Sequence, residues 1–139
     1  MPETAIIGPA LLYGLIIALY EIVIVHRDVK NTTHRFMHTI HAVILSCVFV
    51  LCTMNSQLIF QIVPILYKIP FAAPIMLQVF VGLLAAIKIH AISKVSKLGF
   101  NAKGLSETWL HSILVGVLVT TVPYVHLILK PFLPNWLLF

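Results

Sequence analysis

Residues 26–41 read HRDVKNTTHRFMHTIH and hold four of the seven histidines in this 139-residue chain: His26, His34, His38 and His41. Histidines spaced four and three apart, as at 34, 38 and 41, share one face of a helix, a spacing that suits two ligands for a metal ion. No carboxylate accompanies them at matching spacing, and Cys52 lies too far along the chain to join them. His34, His38 and His41 are therefore weak metal candidates. A bis-histidine haem needs two facing helices with histidines at equal depth, and His41 with His111 is the pair that qualifies. Neither metal nor haem is the expected cofactor. No serine or cysteine stands with a histidine and a carboxylate on one helical face, and no glycine-rich phosphate loop is present. Catalysis by this chain on its own is not expected.

The elements that carry these groups are apolar. Hydrophobic residues make up 60% of the sequence and charged residues 9%, against about 25% charged in a soluble domain. The mean hydropathy is +1.06. A water-soluble fold has no polar covering to spare for so much apolar surface, so the lipid bilayer is the expected surrounding. A span needs about 20 apolar residues. Four segments meet this: about 5–25, 36–54, 74–93 and 106–129. Pro74 suits a first helical turn, Ser106 suits an N-cap with Glu107 after it, and Pro123 interrupts the last span. The expected fold is an all-α integral membrane four-helix bundle, forming a single transmembrane domain over residues 1–139. The N-terminus lacks a basic n-region and a cleavage site, and reads as a retained first helix. Cys47 and Cys52 are turned apart on one helix and do not form a mutual disulfide.

The connections set the orientation. The basic pair carries Arg27, Lys30 and Arg35, then Lys94, Lys97 and Lys103, whereas the opposite side holds Lys68 and Lys130. The positive-inside rule places the basic hairpin loops in the cytoplasm and both termini on the non-cytoplasmic side. The connection NSQLIFQIVPILYKIPFAA is apolar throughout and is expected to lie along the outer interface, and Trp136 in the tail suits the headgroup belt. A net charge of +5 confined to helix ends, without a basic run and interleaved aromatics, excludes nucleic acid as a partner.

Ionisable groups within the hydrocarbon are costly, about 2.5–3.5 kcal/mol at mid-depth. Glu21 precedes Arg27 by six residues, His41 follows Arg35 by six, Lys88 precedes Lys94 by six and His111 follows Glu107 by four. At 1.5 Å per residue all four lie about 6–9 Å inside the cytoplasmic boundary. Glu21, His41, Lys88 and His111 thus form one expected polar layer, either a structural Glu21–Lys88 ion pair with hydrogen-bonded histidines or a proton path. Lys88 and His90 point to opposite sides of their helix, and the ammonium is assigned to the layer. His126, beside Tyr124, is expected to be hydrogen-bonded near the outer end. Small residues let helices approach closely. Ala10, Gly14 and Ala18 share a stripe with Glu21, while Gly82 with Ala86 and Ser112 with Gly116 mark further packing faces open to partners.

The stretch YGLIIALYEIVIV resembles the first helix of the small multidrug resistance transporters, in which a membrane-embedded glutamate exchanges protons for cationic drugs. The resemblance ends with those residues. The third and fourth spans lack that family's glycine and tryptophan pattern, the chain is longer, and its strong Lys/Arg bias opposes dual topology, so membership is not assigned. The leading expectation is a small non-catalytic subunit of a larger membrane complex, of a respiratory or membrane-oxygenase kind, associating with other membrane subunits or with itself. The alternatives are a proton- or cation-coupled transporter or channel using the Glu/His/Lys layer, and a haem- or metal-binding electron-transfer protein.

Overall fold

A computed structural model describes residues 4–28, 32–70, 72–97 and 109–137. Its elements are α1 (Gly8–Asp28), α2 (Thr32–Met54), α3 (Ser56–Ile62), a 3-10 turn at Pro64–Lys68, α4 (Pro74–Lys97) and α5 (Trp109–Leu129), followed by 3-10 turns at Lys130–Phe132 and Asn135–Leu137. The fold is all-α, with no strand among the described residues. Ser106, Glu107 and most of the second basic connection lie outside them, as do the side chains of His26, His34 and His38.

Contacts between helices fix the topology. Asn55, just past the end of α2, bonds to Ile6, just before α1, so α1 and α2 run antiparallel. The Gln78 amide donates to Ser56 Oγ at 2.9 Å, joining the start of α4 to the start of α3, just past the end of α2. Tyr13 near the start of α1 meets His126 near the end of α5, and Tyr20 meets His111 at the other extreme. The result is an up-down-up-down bundle of α1, α2, α4 and α5. The α1–α2 and α4–α5 hairpins are its closest pairs, and α2 packs on both helices of the second.

Local sequence explains the breaks. Asn55 ends α2 because its amide donates to Leu51 O at 2.9 Å and also engages Ile6, and α3 then turns 73° away from residues 39–54 of α2. Val63, Ile69 and Leu133 each precede a proline and are extended or nearly so, as the proline ring demands. Helix α1 opens with Pro9 in its first turn, where the missing N–H costs nothing.

The core is small-sided and close-packed. Ala10, Ala18, Val50, Ala85 and Val119 have essentially no exposure. A Cβ on Gly14 would come within 2.7 Å of the Cys47 Cα. One on Gly82 would meet Gly116 O at 2.6 Å and collide with the Thr120 hydroxyl, and one on Gly116 would meet Gly82 O at 2.6 Å and Ala86 Cβ at 3.0 Å. The α4 and α5 backbones therefore touch. The Gly82/Ala86 and Ser112/Gly116 stripes, expected to be open to partners, close on the facing helix within the chain. Large apolar side chains point outward instead: Leu19 is 60% exposed, Val23 67%, Ile87 56% and Leu127 69%.

Among the described residues, by length and hydropathy one helix, Trp109–Phe132, is long and apolar enough to cross a membrane, or two if the bent pair Thr39–Met54 and Ser56–Ile62 counts as one span. Gly8–Ile24 and Pro74–His90 are shorter apolar helices.

Candidate functional site

Hydrophobic helices supply few polar groups, and the bundle gathers them at its two ends. At the end carrying the basic connections, Glu21 of α1 is 4% exposed. It lines a cavity with His41, Ala42, Ser46 and Phe49 of α2, Ile89 of α4, and Val115 and Val119 of α5. Its volume, as the space open to the centre of a water molecule, is about 10 Å³. That is on the order of a single water. Glu21 reaches this position because Ala10, Gly14 and Ala18 precede it on the same face of α1, where a short side chain or none lets α2 lie against the backbone. His41 is exposed on its outer side and borders the cavity on its inner one.

Lys88 requires a correction. It lies on the exposed side of α4, and Ile89 is the α4 residue that faces Glu21 across the cavity. The buried partner on the inward side is His90, at 9% exposure, stacked on Trp109 with ring centroids 3.8 Å apart and planes 16° apart. Two residues on a helix are turned about 200° apart, so only one of Lys88 and His90 can face the bundle. The stack explains which. An imidazole buries flat against an indole, whereas an ammonium keeps its hydration by extending along the surface. His111 sits near the cavity on α5, and its ring is tilted against Tyr20 with centroids 5.4 Å apart.

At this end of the bundle the Ser46 hydroxyl was not anticipated, and Ser112 was expected only as part of a packing stripe. Ser46 is 2% exposed and Ser112 is 0% exposed. With Glu21 and His90 they give each of the four long helices one buried polar side chain in this half of the bundle. Ser46 lies on the buried stripe Ala42–Ser46–Val50 of α2, and Ser112 on the stripe Ser112–Val115–Val119 of α5. The spacing of those small residues was visible in the sequence, but hydropathy averages pass over a serine.

The opposite end holds a second polar cluster. Tyr124 donates to Gln78 Oε1 at 3.1 Å, while the Gln78 amide holds Ser56. The Tyr13 hydroxyl lies 3.5 Å from His126 Nδ1, edge-on to its ring. Asn55 accepts from Ile6 N at 2.7 Å and donates to Ile6 O at 3.1 Å, which pins the segment before α1. Between the clusters the core is apolar: Ile17, Val50, Val115 and Val119 fill it.

Among the described residues no group of three or more His, Cys, Asp or Glu comes together to hold a metal. His34 and His38 have no described side chains. Of the His41 and His111 haem pair, His41 lines the cavity beside Glu21 and His111 lies against Tyr20. Comparison of the chain with family models, curated proteins and solved structures finds no match.

Proposed function

We propose that the chain is a four-span integral membrane protein and a small non-catalytic subunit of a larger membrane complex, of a respiratory or membrane-oxygenase kind. The spans are α1, α2, α4 and α5. The basic connections face the cytoplasm, and both termini and residues 55–73 face the other side. The inside-out distribution of side chains supports spanning. All four helices turn Leu, Ile, Val and Phe outward and keep Glu21, Ser46, His90 and Ser112 inward, whereas a soluble monomer rarely exposes a contiguous apolar patch beyond a few hundred Å². The apolar lengths Gly8–Ile24 and Pro74–His90 cover about 26 Å each at 1.5 Å per residue.

The observation that carries the subunit reading is the apolar layer between the two polar clusters. From Tyr13 to Glu21 is about 12 Å along α1, and Ile17, Val50, Val115 and Val119 occupy that interval. Proton transfer needs hydrogen-bond distances of about 3 Å, so one chain in this conformation offers no continuous path. Native mass spectrometry of protein extracted in mild detergent from its own membrane tests the reading. Unlike partner subunits are expected, and a stable lone monomer or homodimer contradicts it.

A proton- or cation-coupled transporter is the second reading, favoured by Glu21 and His41 lining one cavity. Flux in proteoliposomes that Glu21→Gln abolishes, with the fold intact, would establish it over the first.

A further inference from the structure

We propose that the cap at the end of the bundle opposite the basic connections, residues 56–69 with 130–137, is a lipid-headgroup surface that selects anionic phospholipid. Lys68 and Lys130 meet the net negative charge of the headgroups, and Tyr67, Phe132 and Trp136 enter the boundary beneath them. The inference rests on the spanning reading above and deepens it, because a segment that merely lies along an interface has no preference among lipids.

Two anchors fix the first part of the cap. Ser56 Oγ accepts from the Gln78 amide at 2.9 Å. Phe60, one turn on, is buried and takes the ring of Tyr67 edge-on, with centroids 5.3 Å apart. Helix α3 therefore turns one face to the bundle, and it is bent 73° from residues 39–54 of α2. It runs close to the plane of a bilayer that α2 crosses. In the tail, Leu133 packs against the core while Phe132 and Pro134 on either side of it face out.

What the cap presents is apolar and basic. Ile62, Ile65, Tyr67 and Ile69 are each more than half exposed, and Phe132 and Trp136 reach 82% and 68%. Lys68 and Lys130 are exposed among them. The two segments contain no Asp or Glu, and Glu3 lies outside the described residues. Indole and phenol rings favour the membrane–water interface, and a lysine at that depth is attracted to anionic lipid. Lysine also decides between lipid and a protein partner. The buried centres of protein–protein interfaces are depleted in it, whereas Lys68 follows Tyr67 directly and Lys130 stands two residues before Phe132.

Quenching of tryptophan fluorescence by brominated lipid tests this. Whole Trp109→Phe protein, in which Trp136 alone reports, is reconstituted into bilayers of brominated phosphatidylcholine mixed with unbrominated phosphatidylglycerol, and into the converse mixtures. Phosphatidylglycerol should displace phosphatidylcholine from Trp136 with a several-fold preference that weakens as salt rises. Lys68→Gln combined with Lys130→Gln should bring the ratio near one, without altering the ratio at Trp109, read in Trp136→Phe protein at the other end of the bundle. A second reporter, Tyr67→Trp with both native tryptophans replaced by Phe, should lose its preference with Lys68→Gln. Quenching of Trp136 without lipid preference, or a preference that survives the double substitution, overturns the proposal while leaving the spanning reading intact. Trp136 shielded from every brominated lipid while Trp109 is quenched also overturns it, and is the result if a protein partner or water covers the cap. If neither tryptophan is quenched, the spanning reading fails and the proposal with it.

Discussion

At the residue scale, polar side chains in this bundle act through the backbone they hold. Asn55 makes three hydrogen bonds, two to Ile6 and one to Leu51, and thereby sets both the end of α2 and the path into α1. Asn55→Ala should cost about 1–3 kcal/mol, because it strands partly buried backbone partners. Equilibrium unfolding in detergent would measure it, and hydrogen exchange should show the Ile6 amide losing protection first. The His90–Trp109 stack makes a contrasting pair of predictions. His90→Ala should cost about 0.5–1.5 kcal/mol beyond the lost area and change the emission of Trp109. Lys88→Leu, on the exposed side of the same helix, should leave stability within about 0.5 kcal/mol of wild type. Sequence periodicity reached Glu21, since a lone carboxylate on a small-residue stripe is conspicuous. It could not choose between Lys88 and His90, because both are polar on an apolar helix and no amphipathic face marks the inside. The choice is made by Trp109, nineteen residues on and across a connection.

Small residues govern the element scale. The α4–α5 crossing depends on Gly82 and Gly116, whose hydrogens face each other's carbonyl oxygens. Gly82→Ala should destabilise by about 1–3 kcal/mol or more, as overpacking does, and by more than Gly14→Ala, which meets Cys47 alone. Thermal unfolding of the two variants in one detergent checks the order. Such stripes are legible in the sequence as helix contacts. Whether the facing helix belongs to the same chain is not, since spacing along one helix carries no information about its neighbour. That is why Gly82, Ala86 and Gly116 read equally well as surfaces for partners until α4 and α5 are seen together. The bend after α2 was likewise hidden. Residues 55–73 are apolar with two prolines, and their partition into α3 and a 3-10 turn depends on Asn55 and Gln78 bonding across the bundle.

Across the whole molecule, the arrangement is an apolar shell around a thin polar inventory. Composition makes the all-α fold and its apolar exterior readable, because only helices of this hydropathy satisfy their own backbone in hydrocarbon. Span number is harder to read. Among the described residues Trp109–Phe132 qualifies by length and hydropathy, with a second span if the bent pair Thr39–Met54 and Ser56–Ile62 counts as one, while Gly8–Ile24 and Pro74–His90 fall short. Impermeant maleimide should be applied to intact cells carrying single-cysteine variants in a Cys47→Ser, Cys52→Ser background: Thr4→Cys, Asn31→Cys, Lys68→Cys, Asn101→Cys and Asn135→Cys. Labelling at positions 4, 68 and 135, with 31 and 101 reached only after the membrane is opened, is the expected result. Position 68 protected together with 31, or 4 and 135 on opposite sides, would contradict a four-span bundle.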